Sequence, residues 1–517
     1  MRRTFLSFLA VISILSGSVL AQTVKTAESK NKAAPTAAAA PRQVYAVPFV
    51  NKTLPNGLEV IVLQDSSVPI VTVELAVRNG SFTESPEFHG LSHLYEHMFF
   101  KPNVAAQLYE CEKAGVGRPF ALASNPVCTR AMSMKSKIGD TSYLRNAGQV
   151  SLYNGTTREE IVNYYFNTTS PFLATAIRII NDSVRYPSFD EEDFEAEKRV
   201  VIGEIDRHEA NPYGYLDLTM KQKLFFKYPT RKDPKGTRES VGTSTIEKMR
   251  LIQSRYYVPN NSALIVTGDA KPDEVFKLAE QIMGGWERRP VDPFKEFPLV
   301  EHPPLPKSEA VIIEKAADAS EGSEQGQNVF IELGWHGPSI GKDDAATYAA
   351  DVFSYILSQP NSRFQRKLVD SGLSASAGLG YYTQRNVGPI NLLMVTRPEN
   401  AKKALAAVYS EISQFTQPDY FTDEELESAK TILESNDLFE REKASEYAHT
   451  LGFWWSSTGI DYFRGYHAKL RAVTRADINR YIKTYIHGKN RVGIALASPE
   501  AKKAANLTEQ DLVGGVQ

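Results

Sequence analysis

The sequence predicts a protein of strands and helices built from two related halves, and three observations lead to this prediction. Strand patterns, such as the run rich in β-branched residues at 70–77, alternate with helical periods, such as that at 272–283. A stretch that begins at Phe421 repeats the acidic and apolar positions of the stretch that begins at Phe189. A segment rich in proline and charge, 291–307, separates the halves as a linker.

The elements can be followed along the chain. A strand at 58–63 comes after a Pro-Asn-Gly turn, and a short helix is predicted at 89–100. Ser188 and Glu191 form a capping box that marks the start of a long acidic helix. The later elements of the first half are a helix at 246–257, a strand at 262–267 and a helix at 272–283. Residues 478–496 then repeat 249–267, and two repeats in the same order indicate a duplication rather than a chance likeness of amphipathic helices.

The N-terminus has the pattern of a secretory signal at 1–21. Two arginines precede an apolar run at 5–15, and a small-residue cleavage site comes before Gln22. An uncleaved membrane anchor is the alternative, but the run is too short to span a bilayer comfortably. Residues 22–43 lack a core-forming pattern and are predicted to be a flexible leader. We therefore expect an exported protein, periplasmic or secreted, with no stable membrane anchor.

The composition is that of a soluble globular protein. The net charge is −2, 42% of the 517 residues are hydrophobic, and no basic run is present. These values argue against a nucleic-acid-binding function.

Two histidines and a glutamate stand together at 89–100, HGLSHLYEHMFF. If this stretch is helical, His93 and His97 lie one turn apart on one face and can bind one metal ion. Glu96 reaches the same space and is able to take a proton from a water molecule at the metal. Two ordinary surface histidines are the alternative. Structural zinc usually has four protein ligands, so a catalytic site with an open position is the better interpretation.

A third ligand is expected from the acidic helix that follows Ser188. Glu197 and Glu204 are seven residues apart, so they lie two turns apart on one face of that helix. One of them can ligate while the other supports the site. Their spacing does not show which of the two is the ligand. The alternative is that the acidic residues of this helix simply face solvent, as they usually do.

The order H-x-x-E-H is the inverted zincin motif, and the segment from Gly90 to Phe100 resembles the active-site helix of the pitrilysin/insulinase (M16) zinc metallopeptidases. The resemblance runs from about Val47 to Ala497. It implies an α+β fold, in which each half is a mainly antiparallel sheet with helices packed on one side. It also implies one bound Zn²⁺, with the roles of zinc ligand for His93, His97 and Glu204, general base for Glu96, and supporting carboxylate for Glu197.

The resemblance further implies how the chain is divided and where a peptide binds. The catalytic domain is expected at 44–290 and a degenerate, non-catalytic copy at 308–505. The copy carries Ala429 and Asn436 where the first half has Glu197 and Glu204, so one zinc per chain is expected. The triplet Asn154, Gly155 and Thr156 resembles the family's edge strand, against which the peptide substrate pairs.

Residues 101–150 are longer than the family usually allows, by roughly thirty residues, and are interpreted as an insertion. Both cysteines, Cys111 and Cys128, lie in it. In an exported protein such a pair more often forms a disulfide than two reactive thiols, so we predict a disulfide between them.

One departure from the family concerns an arginine and a tyrosine seven residues apart, which contact the substrate carbonyl in active relatives. The matching stretch here, 362–375, has Ala375 at the tyrosine position. The arginine position is Leu368 when counted from Gly372, or Val369 when counted from Ser362. None of these side chains can donate a hydrogen bond to an oxyanion.

Arg363 and Arg366 are nearby but out of register, and are alternatives for the missing donor. The simpler interpretation is a heterodimer in which a related M16 subunit supplies the Arg/Tyr pair.

The sequence predicts an exported zinc endopeptidase for peptides or small unfolded proteins. The alternative is a non-catalytic structural or processing-complex subunit of the same family, against which the intact motif argues.

Overall fold

The computed structural model describes residues 46–113, 126, 130, 148–316 and 327–514 of the chain. The predicted signal at 1–21, the leader at 22–43, Cys128 and much of the predicted insertion lie outside these residues. Among the helices that the structure describes, none is both long enough and apolar enough to span a bilayer.

The first half of the chain forms a six-stranded sheet. Its strands are β1 (Val50–Thr53), β2 (Glu59–Gln64), β3 (Ile70–Val77), β4 (Leu152–Thr157), β5 (Val162–Thr169) and β6 (Ser262–Gly268). Their order across the sheet is β1-β2-β6-β3-β5-β4. β2 and β6 are parallel, and the other neighbouring pairs are antiparallel.

The second half forms a five-stranded sheet with the same arrangement. Its strands are β7 (Glu309–Glu314), β8 (Val329–His336), β9 (Ser376–Tyr381), β10 (Pro389–Thr396) and β11 (Val492–Ala497). Their order is β7-β11-β8-β10-β9, and only the pair of β7 and β11 is parallel. This order matches that of the first sheet without β1, which confirms the predicted α+β fold of two related, mainly antiparallel domains.

Helices pack against both sheets. The described α-helices of five residues or more in the first half are α1 (Leu91–Phe99), α2 (Ala105–Lys113), α3 (Leu173–Arg185), α4 (Glu191–Ala210), α5 (Pro212–Leu224), α6 (Arg238–Gly242), α7 (Ile246–Tyr256) and α8 (Pro272–Met283). Those in the second half are α9 (Asp344–Ser358), α10 (Ala401–Gln414), α11 (Asp423–Arg441), α12 (Ala444–Ser457), α13 (Ile460–Arg464), α14 (Tyr466–Ala472), α15 (Arg475–Tyr485), α16 (Pro499–Ala505) and α17 (Glu509–Val513).

The start of α4 differs from the predicted capping box at Ser188 and Glu191. The N-cap is Asp190, whose carboxylate accepts hydrogen bonds from the backbone N–H groups of Glu192 and Asp193. Ser188 instead donates its hydroxyl to the carbonyl oxygen of Pro102, 2.8 Å away. The prediction of the cap was wrong because Phe189 turns the chain with a φ of 49°, which takes Ser188 away from the helix start.

The two faces of the first sheet belong to different cores. On one face, Val73 and Leu75 of β3 pack in a core that also contains Leu94 of α1 and Ile177 of α3. On the other face, Ala76 belongs to the core of the second half. Helices of the first half therefore lie on one side of its sheet, as predicted.

Each sheet receives a helix from the other half on its second face. α12 packs against β3 and β6, where a Cβ built on Gly452 would lie 2.5 Å from Oε1 of Glu74. In the reverse direction, α5 packs against β8 and β11, and a Cβ built on Gly334 would lie 2.5 Å from Sδ of Met220. These two crossing helices join the halves, and α5 directly follows α4, which carries both predicted site glutamates.

Candidate metal centre

The helix α1 is fixed at its N-terminus by Glu84. The carboxylate of Glu84 accepts hydrogen bonds from the backbone N–H groups of Gly90, at 2.8 Å, and Ser92, at 2.7 Å. These groups have no partner within the helix, and the start of a helix favours negative charge. Burial raises the pKa of Glu84, although the hydrogen bonds from Ser92 and Gly90 oppose the rise. A buried acid thus sets the position from which the histidine pair projects.

The structure brings the three predicted ligands together. The Nε2 atom of His93 lies 3.4 Å, and that of His97 3.7 Å, from Oε2 of Glu204. One ligand atom from each residue can be chosen so that all three lie within 4.8 Å of one another. Ligand atoms bound to one tetrahedral zinc at about 2.0–2.1 Å lie roughly 3.4 Å apart, so this donor set fits Zn²⁺ with a fourth position open.

Glu197 lies behind His97 rather than among the ligand atoms. Its Oε2 atom is 2.9 Å from Nδ1 of His97, and its Oε1 atom is 2.5 Å from Nζ of Lys101. This contact orients the ring so that Nε2 of His97 faces Glu204, as a supporting carboxylate does in a metal site. The structure therefore places Glu204 among the ligand atoms and Glu197 behind His97. Their spacing in the sequence had not distinguished these two positions.

The electrostatics of the cluster are dominated by ion pairing. Burial lowers the pKa of His97, but hydrogen bonds with Glu197 and Glu204 outweigh this effect and raise it to about 10. Hydrogen bonds with His93 and His97 hold the pKa of Glu204 far below its usual range. The Nδ1 atom of His93 is buried and has no hydrogen-bond partner among the described residues.

Glu96 lies between α1 and the outermost strand of the sheet. In the described sheet, β4 pairs only with β5, so its second edge is open. Thr157 of β4 donates its hydroxyl to Oε2 of Glu96 at 3.0 Å. A Cβ built on Gly155 would lie 2.7 Å from both Cγ and Oε1 of Glu96. The predicted triplet Asn154, Gly155 and Thr156 therefore does lie on an edge strand, directly beside the predicted base.

The matching helix of the second half carries no such cluster. Ala429 is buried, and Asn436 donates its side-chain amide to the hydroxyl of Tyr355 at 3.2 Å. Within the described parts of the chain, the cluster of His93, His97 and Glu204 is the one group of three side chains that could hold a metal ion.

The stretch 362–375 has its own packing. Leu368 is buried in the core of the second half. The guanidinium of Arg363 pairs with Glu411, with Nε 3.4 Å from the carboxylate, and with the side chain of Gln414. Arg366 is exposed.

Some neighbours of the cluster were not predicted. Lys101 and Thr157 reach the site from a loop and a strand end, and no spacing rule connects them to the motif.

Cys111 is buried in α2. Because Cys128 lies outside the described residues, the pairing of Cys111 with Cys128 stays a prediction.

Comparisons with known proteins identify the family of the chain. The model of "Insulinase (Peptidase family M16)" matches residues 59–114 and 135–231, and that of "Peptidase M16 inactive domain" matches residues 244–433. The chain is 22% identical to the uncharacterized zinc protease YmxG of Bacillus subtilis, over 74% of this chain and 82% of that protein. It is 21% identical to the zinc protease PqqE of Helicobacter pylori, over 86% of this chain and 91% of that protein.

Solved structures share the fold. A putative M16-like peptidase from Alicyclobacillus acidocaldarius superposes with a TM-score of 0.71 at 19% identity, over 88% of this chain and 100% of that chain. A protease from Helicobacter pylori superposes with a TM-score of 0.70 at 18% identity, over 87% of this chain and 99% of that chain. The family matches and the shared fold together show that this chain is a two-domain member of the M16 pitrilysin/insulinase peptidase family.

Proposed function

We propose that the chain is an exported zinc-dependent endopeptidase. The observation that carries the proposal is the convergence of three ligand atoms beside a glutamate that itself touches an open sheet edge. Relatives of the family are named zinc proteases, which supports the same reaction class. His93, His97 and Glu204 would hold the zinc ion, whose chemistry is to polarise the attacking water and the peptide carbonyl.

Glu96 is the general base of this proposal. Its carboxylate is held by Thr157 and lies against Gly155, so it faces the strand edge rather than the core. From this position it accepts the proton of the attacking water. Glu197 acts through His97, which it keeps in the orientation that leaves Nε2 for the metal.

The substrate would bind as an additional strand on β4. Asn154, Gly155 and Thr156 are paired with β5 on one side only, so their outward backbone groups can pair with a peptide. Binding through backbone hydrogen bonds requires the substrate to be extended but does not require a particular side chain. Peptides and small unfolded proteins can adopt this extended conformation. Gly155 allows the base to approach the peptide closely, because a larger residue would displace Glu96.

A second M16 subunit would complete the site. The guanidinium of Arg363 is engaged by Glu411 and Gln414. Leu368 is buried, and its hydrocarbon side chain has no hydrogen bond to donate to an oxyanion. The periplasmic protease PqqL of Escherichia coli is a longer protein, and this chain covers 50% of it and 96% of its first half. That relationship supports a pairing of two such units, which we propose to be a heterodimer with the partner supplying the Arg/Tyr pair.

Zinc content and cleavage together test the proposal. The purified mature chain should contain one zinc ion by mass spectrometry, and with its partner it should cleave an extended fluorogenic peptide. Glu96→Gln should keep the zinc and abolish cleavage, since the ligands survive and the base is lost. A chain without stoichiometric zinc would favour the alternative of a non-catalytic subunit, and turnover of Glu96→Gln within a few-fold of wild type would remove Glu96 from the mechanism.

A further inference from the structure

Lys101 links the end of α1 to the middle of α4. It follows the last turn of α1, where its backbone N–H donates to the carbonyl oxygen of Met98 at 3.2 Å. Its Nζ atom lies 2.5 Å from Oε1 of Glu197, and the side chains of Lys101 and Glu197 are 29% and 12% exposed. This ion pair is therefore screened by solvent less than an ordinary surface pair.

The two oxygens of Glu197 have different partners. Oε2 lies 2.9 Å from Nδ1 of His97, whereas Oε1 lies against the ammonium group of Lys101. The last torsion angle of a glutamate side chain has a broad energy minimum, so one contact leaves the carboxylate able to turn. The contact with Lys101 holds the second oxygen and thereby fixes the plane of the carboxylate that orients His97.

The chain directly after Lys101 is bound to the segment that leads into α4. The carbonyl oxygen of Pro102 accepts a hydrogen bond from the hydroxyl of Ser188 at 2.8 Å. Asn103 forms an antiparallel β-bridge with Pro187. Because Glu197 lies on α4, these contacts hold Lys101 and Glu197 to the same part of the protein.

Phe189 shows that this junction is kept against a conformational cost. Its φ of 49° lies in the left-handed region, which a bulky residue rarely adopts and which persists only where the surrounding structure imposes it. The ring is buried and meets Tyr95 of α1 edge to face, with centroids 5.7 Å apart. The turn at Phe189 thus packs the ring against α1 and leaves Ser188 to bind Pro102 rather than to cap α4.

We propose that Lys101 is a positioning residue of the metal centre. It holds the carboxylate of Glu197 in the plane that orients His97, and the hydrogen bond from Ser188 to Pro102 keeps Lys101 within reach. The inference rests on the proposed function for the identity of the metal ion, Zn²⁺. It assigns a role in zinc binding to two residues, Lys101 and Ser188, that neither ligate the ion nor belong to the H-x-x-E-H motif.

Zinc affinity tests the role of Lys101 without cleavage. In the full mature chain, Lys101→Met should weaken zinc binding by about 3–10-fold, as expected for a partly shielded ion pair that acts through another group. Competition between the protein and a zinc chelator measures this change. Lys101→Arg keeps a cation that can donate to Glu197 and should recover most of the affinity. Lys277→Met, at an exposed position on α8, should leave the affinity unchanged, and wild-type affinity in Lys101→Met would overturn the inference.

A double-mutant cycle distinguishes positioning through Glu197 from a general loss of structure. In Glu197→Gln the carboxylate is already lost, so adding Lys101→Met should not weaken zinc binding further. If Lys101→Met instead weakens zinc binding by the same factor in both backgrounds, Lys101 does not act through Glu197 and the inference fails.

The hydrogen bond from Ser188 is tested separately. Ser188→Ala removes the donor to Pro102 and should weaken zinc binding in the wild-type background, but not in Lys101→Met. Ser254→Ala is the matched control, because it also removes a hydrogen bond from a serine hydroxyl to a carbonyl oxygen, at an exposed site on α7. Full zinc affinity in Ser188→Ala would overturn the role assigned to this hydrogen bond.

Two outcomes separate this inference from the proposed function. A wild-type chain that binds no zinc contradicts both. Stoichiometric zinc in the wild-type chain, together with equal zinc affinity in Lys101→Met, contradicts this inference alone.

Discussion

Glu96 lies directly against Gly155, so that a Cβ built on Gly155 would come within 2.7 Å of both Cγ and Oε1 of the glutamate. A contact below 3 Å between such atoms forces one of them to move, and the side chain of Glu96 is the more mobile partner. The strand edge and the base are therefore coupled at this glycine.

Gly155→Ala should displace Glu96 and lower cleavage by about 10–100-fold, in the range expected for a misplaced catalytic group. The zinc content should stay the same, because the ligands on α1 and α4 are not touched. Gly378→Ala is the matched control: Gly378 lies on β9, the edge strand of the second sheet, and a Cβ there would meet nothing within 4 Å. Equal activity in the two variants would show that the contact has no role in catalysis.

The two glutamates of α4 should differ in their effects on metal affinity. Glu204→Gln should prevent stoichiometric zinc binding, since it removes a ligand oxygen beside His93 and His97. Glu197→Gln should weaken affinity by about 10–100-fold, as is typical for a group that orients a ligand. Competition with a chelator measures both, and Glu192→Gln on the exposed start of α4 is the control. Unchanged affinity in Glu204→Gln would mean that the wrong glutamate has been assigned as the ligand.

Glu84→Gln should destabilise the protein by about 1–2 kcal/mol, because a neutral amide would replace the acceptor of two hydrogen bonds at the start of α1. Denaturant unfolding measures the loss, and Glu87→Gln, at an exposed position in the same loop, should have no effect. Stability equal to wild type in Glu84→Gln would indicate that other groups hold the helix start.

Much of the site could be predicted from the sequence because its spacing is local. His93 and His97 fall on one face of α1 by helical periodicity alone. The choice between Glu197 and Glu204 could not be made in this way. It depends on how α4 crosses α1, which is a tertiary relationship that leaves no periodic signal.

The crossing helices show the same limit on a larger scale. The apolar faces of α5 and α12 predict burial, but not which sheet will bury them. Gly334 and Gly452 are glycines because the two helices pack so closely that a Cβ would not fit. Nothing in the sequence distinguishes them from glycines in turns or loops.

The contact between α12 and the first sheet should give stability a distinct pH dependence. His449 of α12 pairs with the buried Glu74 of β3. Burial lowers the pKa of His449, but the charge of Glu74 and the hydrogen bond to it raise it overall. A histidine whose pKa is raised on folding stabilises the native state fully below its unfolded pKa of about 6.5, and this contribution is lost as pH rises through the folded value.

His336 offers a control of opposite sign, because burial lowers its pKa to about 4. Its effect is to lower stability as pH falls from about 6.5 toward 4. The unfolding free energy should be measured with denaturant from about pH 4 to 6.5 and above. In His449→Gln, the contribution to this free energy that declines with rising pH should be lost. In His336→Gln, the contribution that increases with rising pH should be lost. If His449→Gln has the same pH profile as wild type at and above neutral pH, the pair with Glu74 does not stabilise the junction of the two halves.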